Sequence, residues 1–183
     1  MDRVCIFIDG SNFYHALVEN GKSPRVDFGK LAAALVGDQR QLVQIYYYNT
    51  PLLSPKASDI NATTKEKARR DQQRFFNALR YVPHLTFKQG RFQRLPNGGQ
   101  VEKGVDVMIA VDMVNLAYKN IYDVAILITS DADLKSAVEV IKSETGKSVE
   151  LSQVQGAKSY DLITACDVYR PIDDAILAQC TRL

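Results

Sequence analysis

Short runs rich in Val, Ile and Tyr alternate along this chain with segments whose apolar residues recur at helical spacing, and few folds accommodate that alternation. A strand, a helix and a further strand pack best as a right-handed crossover on a mainly parallel sheet, so the chain reads as an α/β domain. Five strands are predicted, at 3–9, 42–49, 84–90, 124–129 and 148–151, with the spatial order 3-2-1-4-5. Helices are predicted at 12–19, 27–35, 63–81, 103–118, 133–143 and 159–166, with a short C-terminal helix near 174–180. The helix after the fourth strand carries Leu134, Ala137, Val138 and Ile141 at i, i+3, i+4 and i+7, a stripe expected to pack on the sheet.

At 183 residues, with 46% apolar and 24% charged content, the chain suits one domain over 1–183, closed by a short helical extension near 171–183. Its apolar runs are interrupted by Asp or Lys well before the roughly 18 residues a membrane helix needs. The start, Met1-Asp2-Arg3, is too acidic and its apolar run too short for a secretory signal, so a cytoplasmic protein without a membrane partner is expected. Cys5, Cys166 and Cys180 are far apart and form no CxxC pair, which argues against a disulfide framework or zinc and for reduced thiols.

Three acidic sites stand out by position. The first strand runs into Asp9-Gly10-Ser11-Asn12, and the fourth into Ser130-Asp131-Ala132-Asp133. Ligands of open parallel sheets collect beyond the carboxyl ends of the strands where the strand order reverses, and strands one and four would be neighbours there. The helix that precedes the fourth strand starts at the same rim, which brings Asp106 of its first turn to Asp9, Asp131 and Asp133. Its sequence is apolar nearly all round, which argues for burial, and Asp112 falls about 120° around it from Asp106, at the periphery. Each acid alone also reads as a helix cap or a partner of a first-turn dipole. Four carboxylates at one rim repel unless a cation or proton intervenes, and an oxygen-only set suits Mg²⁺ or Mn²⁺ rather than zinc.

Charge is unevenly spread. Residues 63–94 hold nine basic groups against Glu66 and Asp71, a local +7 within a net charge of +2, so the rest of the chain carries −5. Such a basic zone beside an acidic rim suits a polyanion, with Arg69, Arg70 and Arg74 as its guides, although a solvated helix face has the same composition. Lys103, beside the acidic helix, is a candidate for steadying a phosphate. Of Tyr46, Tyr47 and Tyr48, alternating on the second strand, at least one is expected in the core and another is available to stack on a base. His15 and His84 lack partners at metal or triad spacing and read as structural. Residues 50–62 and 93–102 are expected as loops, the second on the strength of Pro96-Asn97-Gly98-Gly99.

Read in order, Ile8-Asp9-Gly10-Ser11-Asn12, Lys103-Gly104-Val105-Asp106-Val107 through Asp112, and Thr129-Ser130-Asp131-Ala132-Asp133 resemble the NYN domain family. That family, also called LabA-like, is a branch of the PIN-like nucleases. The likeness spans most of residues 3–150, with 161–170 similar to the family's closing segment. Ala132 and Leu134 stand where many members have a small polar residue or Gly and then Phe. The resemblance implies a three-layer α/β/α PIN-like fold and Mg²⁺- or Mn²⁺-dependent hydrolysis of RNA to 5′-phosphate and 3′-hydroxyl ends. It implies Asp9, Asp106 and Asp131 as metal-binding acids, with Asn12 and Asp133 as supporting residues. RNA is then the expected partner, and a homodimer is left open.

Two rivals remain. A haloacid-dehalogenase-like phosphatase also places Asp after its first strand but needs a second acid two residues on, where this chain has Ser11. An RNA-binding or regulatory module would keep the acidic pocket with weak or no catalysis. GxGxxG and GxxxxGK[ST] phosphate cradles are absent from the sequence.

Overall fold

A computed structural model describes residues 1–55, 59–94, 100–156 and 159–181. Strand β1 (Arg3–Asp9) leads into α1 (Gly10–Glu19) and α2 (Phe28–Val36), followed by β2 (Gln41–Asn49), α3 (Ala62–Leu79) and β3 (Leu85–Gln89). A short pair, β4 (Arg91–Arg94) and β5 (Gln100–Lys103), precedes α4 (Val105–Tyr118) and β6 (Val124–Ile128). A 3-10 turn (Ala132–Leu134), α5 (Lys135–Val140), a π-helical turn (Ile141–Thr145), β7 (Ser148–Val154), α6 (Tyr160–Ala165), β8 (Val168–Ile172) and α7 (Asp174–Cys180) follow.

The main sheet is parallel and six-stranded, in the order β3-β2-β1-β6-β7-β8. The five expected strands are all present, and β8 extends the sheet beyond the expected five. Its sequence hides it because Val168 to Pro171 are exposed and Pro171 cannot donate to a ladder, a residue that sheets accept at an edge. Residues 171 and 172 thus end a strand, and the expected C-terminal extension becomes helical only at α7, which packs on α2. Part of the expected loop at 93–102 is an antiparallel pair, β4 with β5, while Pro96-Asn97-Gly98-Gly99 lies outside the described residues.

Alternation along the strands makes two cores. Val4, Ile6 and Ile8 of β1, with Tyr47 of β2, face α1, α2, α3 and α7. Cys5 and Phe7, with Tyr48, face α4, α5 and α6. The result is three layers, α/β/α, with β1 buried at the centre between β2 and β6. Tyr47 and Tyr48 fill opposite cores, and Tyr46 stacks on Phe7 with ring centroids 5.3 Å apart, so all three serve packing.

Leu134, Ala137, Val138 and Ile141 are buried as the stripe predicts, although the helix expected at 133–143 divides into 3-10, α and π turns. Helix α4 departs from expectation. Val105, Ile109, Met113 and Ala117 are buried, but Val107, Val111 and Tyr118 are 65%, 58% and 60% exposed. A helix lying on the outside of a layer has only one face to bury, whatever its composition. Among the described residues no helix is long and apolar enough to cross a membrane.

Candidate functional site

Asp9 is the last residue of β1 and the N-cap of α1 at once. Its Oδ1 accepts from the Asn12 backbone N–H at 3.0 Å, and its Oδ2 accepts from Thr129 Oγ1 at 3.3 Å. The strand turns into the helix at Gly10, where any side chain would collide with the Tyr47 ring. Asp9 is 5% exposed, held where buried strand meets solvent.

The neighbouring strand supplies the second acid. Ile8 pairs with Ile128, so Thr129 comes beside Asp9 just past the end of β6. The Thr129 hydroxyl also accepts from the Asp131 backbone N–H at 3.1 Å, and Asn12 Oδ1 accepts from the Ser130 backbone N–H at 2.9 Å. Asp131 in turn caps the 3-10 turn through its Oδ1, which accepts from the Asp133 backbone N–H at 3.0 Å. Behind it, the buried Gln153 Nε2 donates to the Thr129 carbonyl at 3.1 Å. Asp106 comes from the opposite wall, in the first turn of α4, whose N-cap Gly104 has φ +87°, a conformation that favours glycine.

Asp9, Asn12, Asp106 and Asp131 line one open cleft of about 540 Å³. The capping reading holds for both strand-end acids, because Asp9 and Asp131 each use one oxygen on a helix N-terminus. Asp133 is exposed and does not line the cleft. Lys103 ends β5 rather than opening α4, and is exposed without lining the cleft. Asp112 is peripheral, as its helical position indicates, bound by Lys88 Nζ at 2.6 Å and Tyr48 OH at 2.7 Å.

The cleft also contains residues that spacing did not reveal. Ser11 and Ser130 belong to the strand-end motifs, but His15 and Glu19 enter from α1, one and two turns beyond Asn12. Their i+3 and i+7 spacing from Asn12 was the available signal that the three share one helical face.

The basic zone is only partly available. Arg69 and Arg70 both bind Glu66, at 2.8 and 3.0 Å, and Arg74 lies 3.4 Å from Asp71. Hydrogen bonds from Arg69 and then Arg70 hold the Glu66 carboxyl down to about 2. Lys67, Arg70 and Arg74 nevertheless line a second groove along α3, apart from the acids.

Apart from the single His15 imidazole, the cleft's donors are carboxylate, amide and hydroxyl oxygens, which fit a hard divalent cation and lack the thiolate or imidazole cluster zinc prefers. Among the described residues, no three His, Cys, Asp or Glu side chains stand close enough together to hold a metal ion by themselves, so the acid set is open. Mg²⁺ is compatible with that openness, because it keeps several waters and takes one or two carboxylates plus substrate phosphate oxygens.

The three-layer parallel sheet thus carries acids past the ends of its two central strands, the place where open α/β sheets bind their ligands. The NYN domain model matches residues 3–173, and the chain belongs to the NYN domain family. It is 26% identical over 178 residues to the Low amplitude and bright protein LabA of Synechococcus elongatus, covering 94% of this chain and 84% of LabA. Its fold is similar to that of VPA0982, a protein of unknown function from Vibrio parahaemolyticus, with a TM-score of 0.71, 22% identity and 94% of each chain covered.

Proposed function

We propose that residues 1–183 form one PIN-like domain that hydrolyses RNA phosphodiester bonds with Mg²⁺ or Mn²⁺ bound by Asp9, Asp106 and Asp131. The observation that carries this reading is that these three acids, from β1, α4 and the segment after β6, line one cleft. Membership of the NYN family supports it independently.

Each residue has a part in that reading. Asp9 presents a carboxylate already oriented by the Asn12 N–H and the Thr129 hydroxyl, which lowers the reorganisation needed on binding a cation. Asp131 presents its second oxygen while the first stays on the Asp133 N–H. Asp106 closes the opposite wall, and Asn12 locks α1 to the loop after β6. A bound divalent ion supplies Lewis acidity toward a phosphoryl oxygen and a more acidic water. No side-chain nucleophile is assigned. Asp133 supports Asp131 through its backbone, and Lys103, Arg69, Arg70 and Arg74 supply positive charge for the RNA backbone outside the cleft. Three buried free cysteines support a cytoplasmic setting. A homodimer could use Val107, Val111 and Tyr118, which are exposed on α4.

The openness of the acid set favours one second reading, an RNA-binding regulatory module with weak or no turnover. Incubating purified protein with labelled single-stranded and structured RNA in Mn²⁺ or EDTA separates the two. Cleavage lost both in EDTA and in Asp9→Asn supports the ribonuclease, whereas RNA binding that survives EDTA without any cleavage supports the module.

A further inference from the structure

The cleft is longer than its acids require. On α1 the side chains of Asn12, His15 and Glu19 follow one another along about 10 Å of one helical face, leading away from Asp9. Ala16 is its small, buried floor, and Gly104 and Val105 at the start of α4 form the other wall. Gly104 has no side chain, and a Cβ there would meet nothing within 4 Å, so the space beside it is open.

The chemistry of that far end is wrong for a phosphate. Glu19 is exposed and forms no ion pair with the described residues, and a carboxylate repels a phosphodiester. It is right for hydrogen-bond donors on a flat group. A carboxylate offers two acceptor oxygens side by side, and guanine alone among the RNA bases presents two adjacent donors, N1–H and N2–H, on its pairing edge. That edge is accessible only when the base is unpaired. His15, whose ring meets the Tyr14 ring edge-on with centroids 5.5 Å apart, supplies a planar wall and a ring nitrogen for the base.

We propose that the slot formed by His15, Ala16, Glu19, Gly104 and Val105 is a nucleobase subsite that selects an unpaired guanine next to the phosphate held at the acids. The proposal rests on the ribonuclease reading for the direction of the RNA, but its test does not require turnover. Fluorescence anisotropy in Ca²⁺ compares single-stranded heptamers that differ only in a central G, A, C or U, for the wild type, Glu19→Gln and His15→Ala.

The wild type is expected to prefer the G heptamer by about tenfold, and Glu19→Gln, which replaces one acceptor by a donor, to lose that preference. His15→Ala should weaken the G heptamer most. Equal affinity for the four heptamers, or a G preference unchanged in Glu19→Gln, overturns the proposal. Cleavage in Mn²⁺ is then read separately. Cleavage without base preference sinks the subsite and leaves the ribonuclease standing, and a G preference in binding without cleavage does the reverse. Far-ultraviolet circular dichroism confirms that each variant is folded.

Discussion

Thr129 Oγ1 donates to the Asp9 carboxylate at 3.3 Å while accepting from the Asp131 backbone N–H at 3.1 Å, so one hydroxyl joins two acids that stand 120 or more residues apart. Removing it without changing volume should loosen both. Thr129→Val is expected to lower Mn²⁺ affinity about tenfold, the usual scale for an outer partner of a metal-binding acid, with thermal stability changed far less. Thr129→Ser should restore the affinity. Calorimetric titration of Mn²⁺ into the three proteins checks this, and equal affinities would remove the hydroxyl from the site.

Asp112 offers the opposite case, a carboxylate near the site that belongs to the scaffold. It binds Lys88 Nζ and the hydroxyl of buried Tyr48, and Lys88 lies 5.5 Å over the Tyr46 ring. Asp112→Ala leaves a buried phenol and an ammonium without their acceptor, so a loss of roughly 2 kcal/mol in stability is expected. RNA cleavage per folded molecule should be unchanged. A urea denaturation curve beside an activity assay distinguishes this from a catalytic Asp112.

The α3 arginines are half-committed to Glu66 and Asp71. If they also guide RNA, joint replacement of Arg69, Arg70 and Arg74 by Ala should weaken binding and reduce the slope of log affinity against log salt by roughly 2. Mn²⁺ affinity should not move. Glu66, released from the guanidinium groups that hold it down to about 2, then titrates in its ordinary range. An unaltered salt slope rejects the guiding role.

Acid stability should depend on Asp123. Hydrogen bonds from the Arg3 side chain and backbone hold its carboxyl well below the usual range, and Lys147 adds to them. A lowered folded value means the contribution is complete above the unfolded value near 3.9 and disappears as pH falls through the folded one. Asp123→Asn should therefore lower the melting temperature at pH 7 and have progressively less effect below about pH 4. A difference that persists undiminished at the acid end contradicts the assignment.

By itself the sequence determined the local features. Its short apolar runs mark β1, β2, β3, β6 and β7, and the placement of Asp9 and Asp131 at or just past strand ends needs no long-range information, because a buried central strand ends where its apolar run stops. The crossover rule then puts Asp106 on the same rim.

Tertiary structure decided whatever depends on distances between remote residues. It made Val168–Ile172 a strand by giving it β7 to pair with, despite Pro171 and its exposure. It left one face of an apolar α4 in solvent, because burial follows from which face meets the sheet rather than from composition. It committed Arg69 and Arg70 to Glu66, and it placed His15 and Glu19 along the cleft that the acids line. Helical spacing says that Asn12, His15 and Glu19 share a face, but only the packing of α1 against the sheet, opposite the start of α4, says that this face borders the cleft.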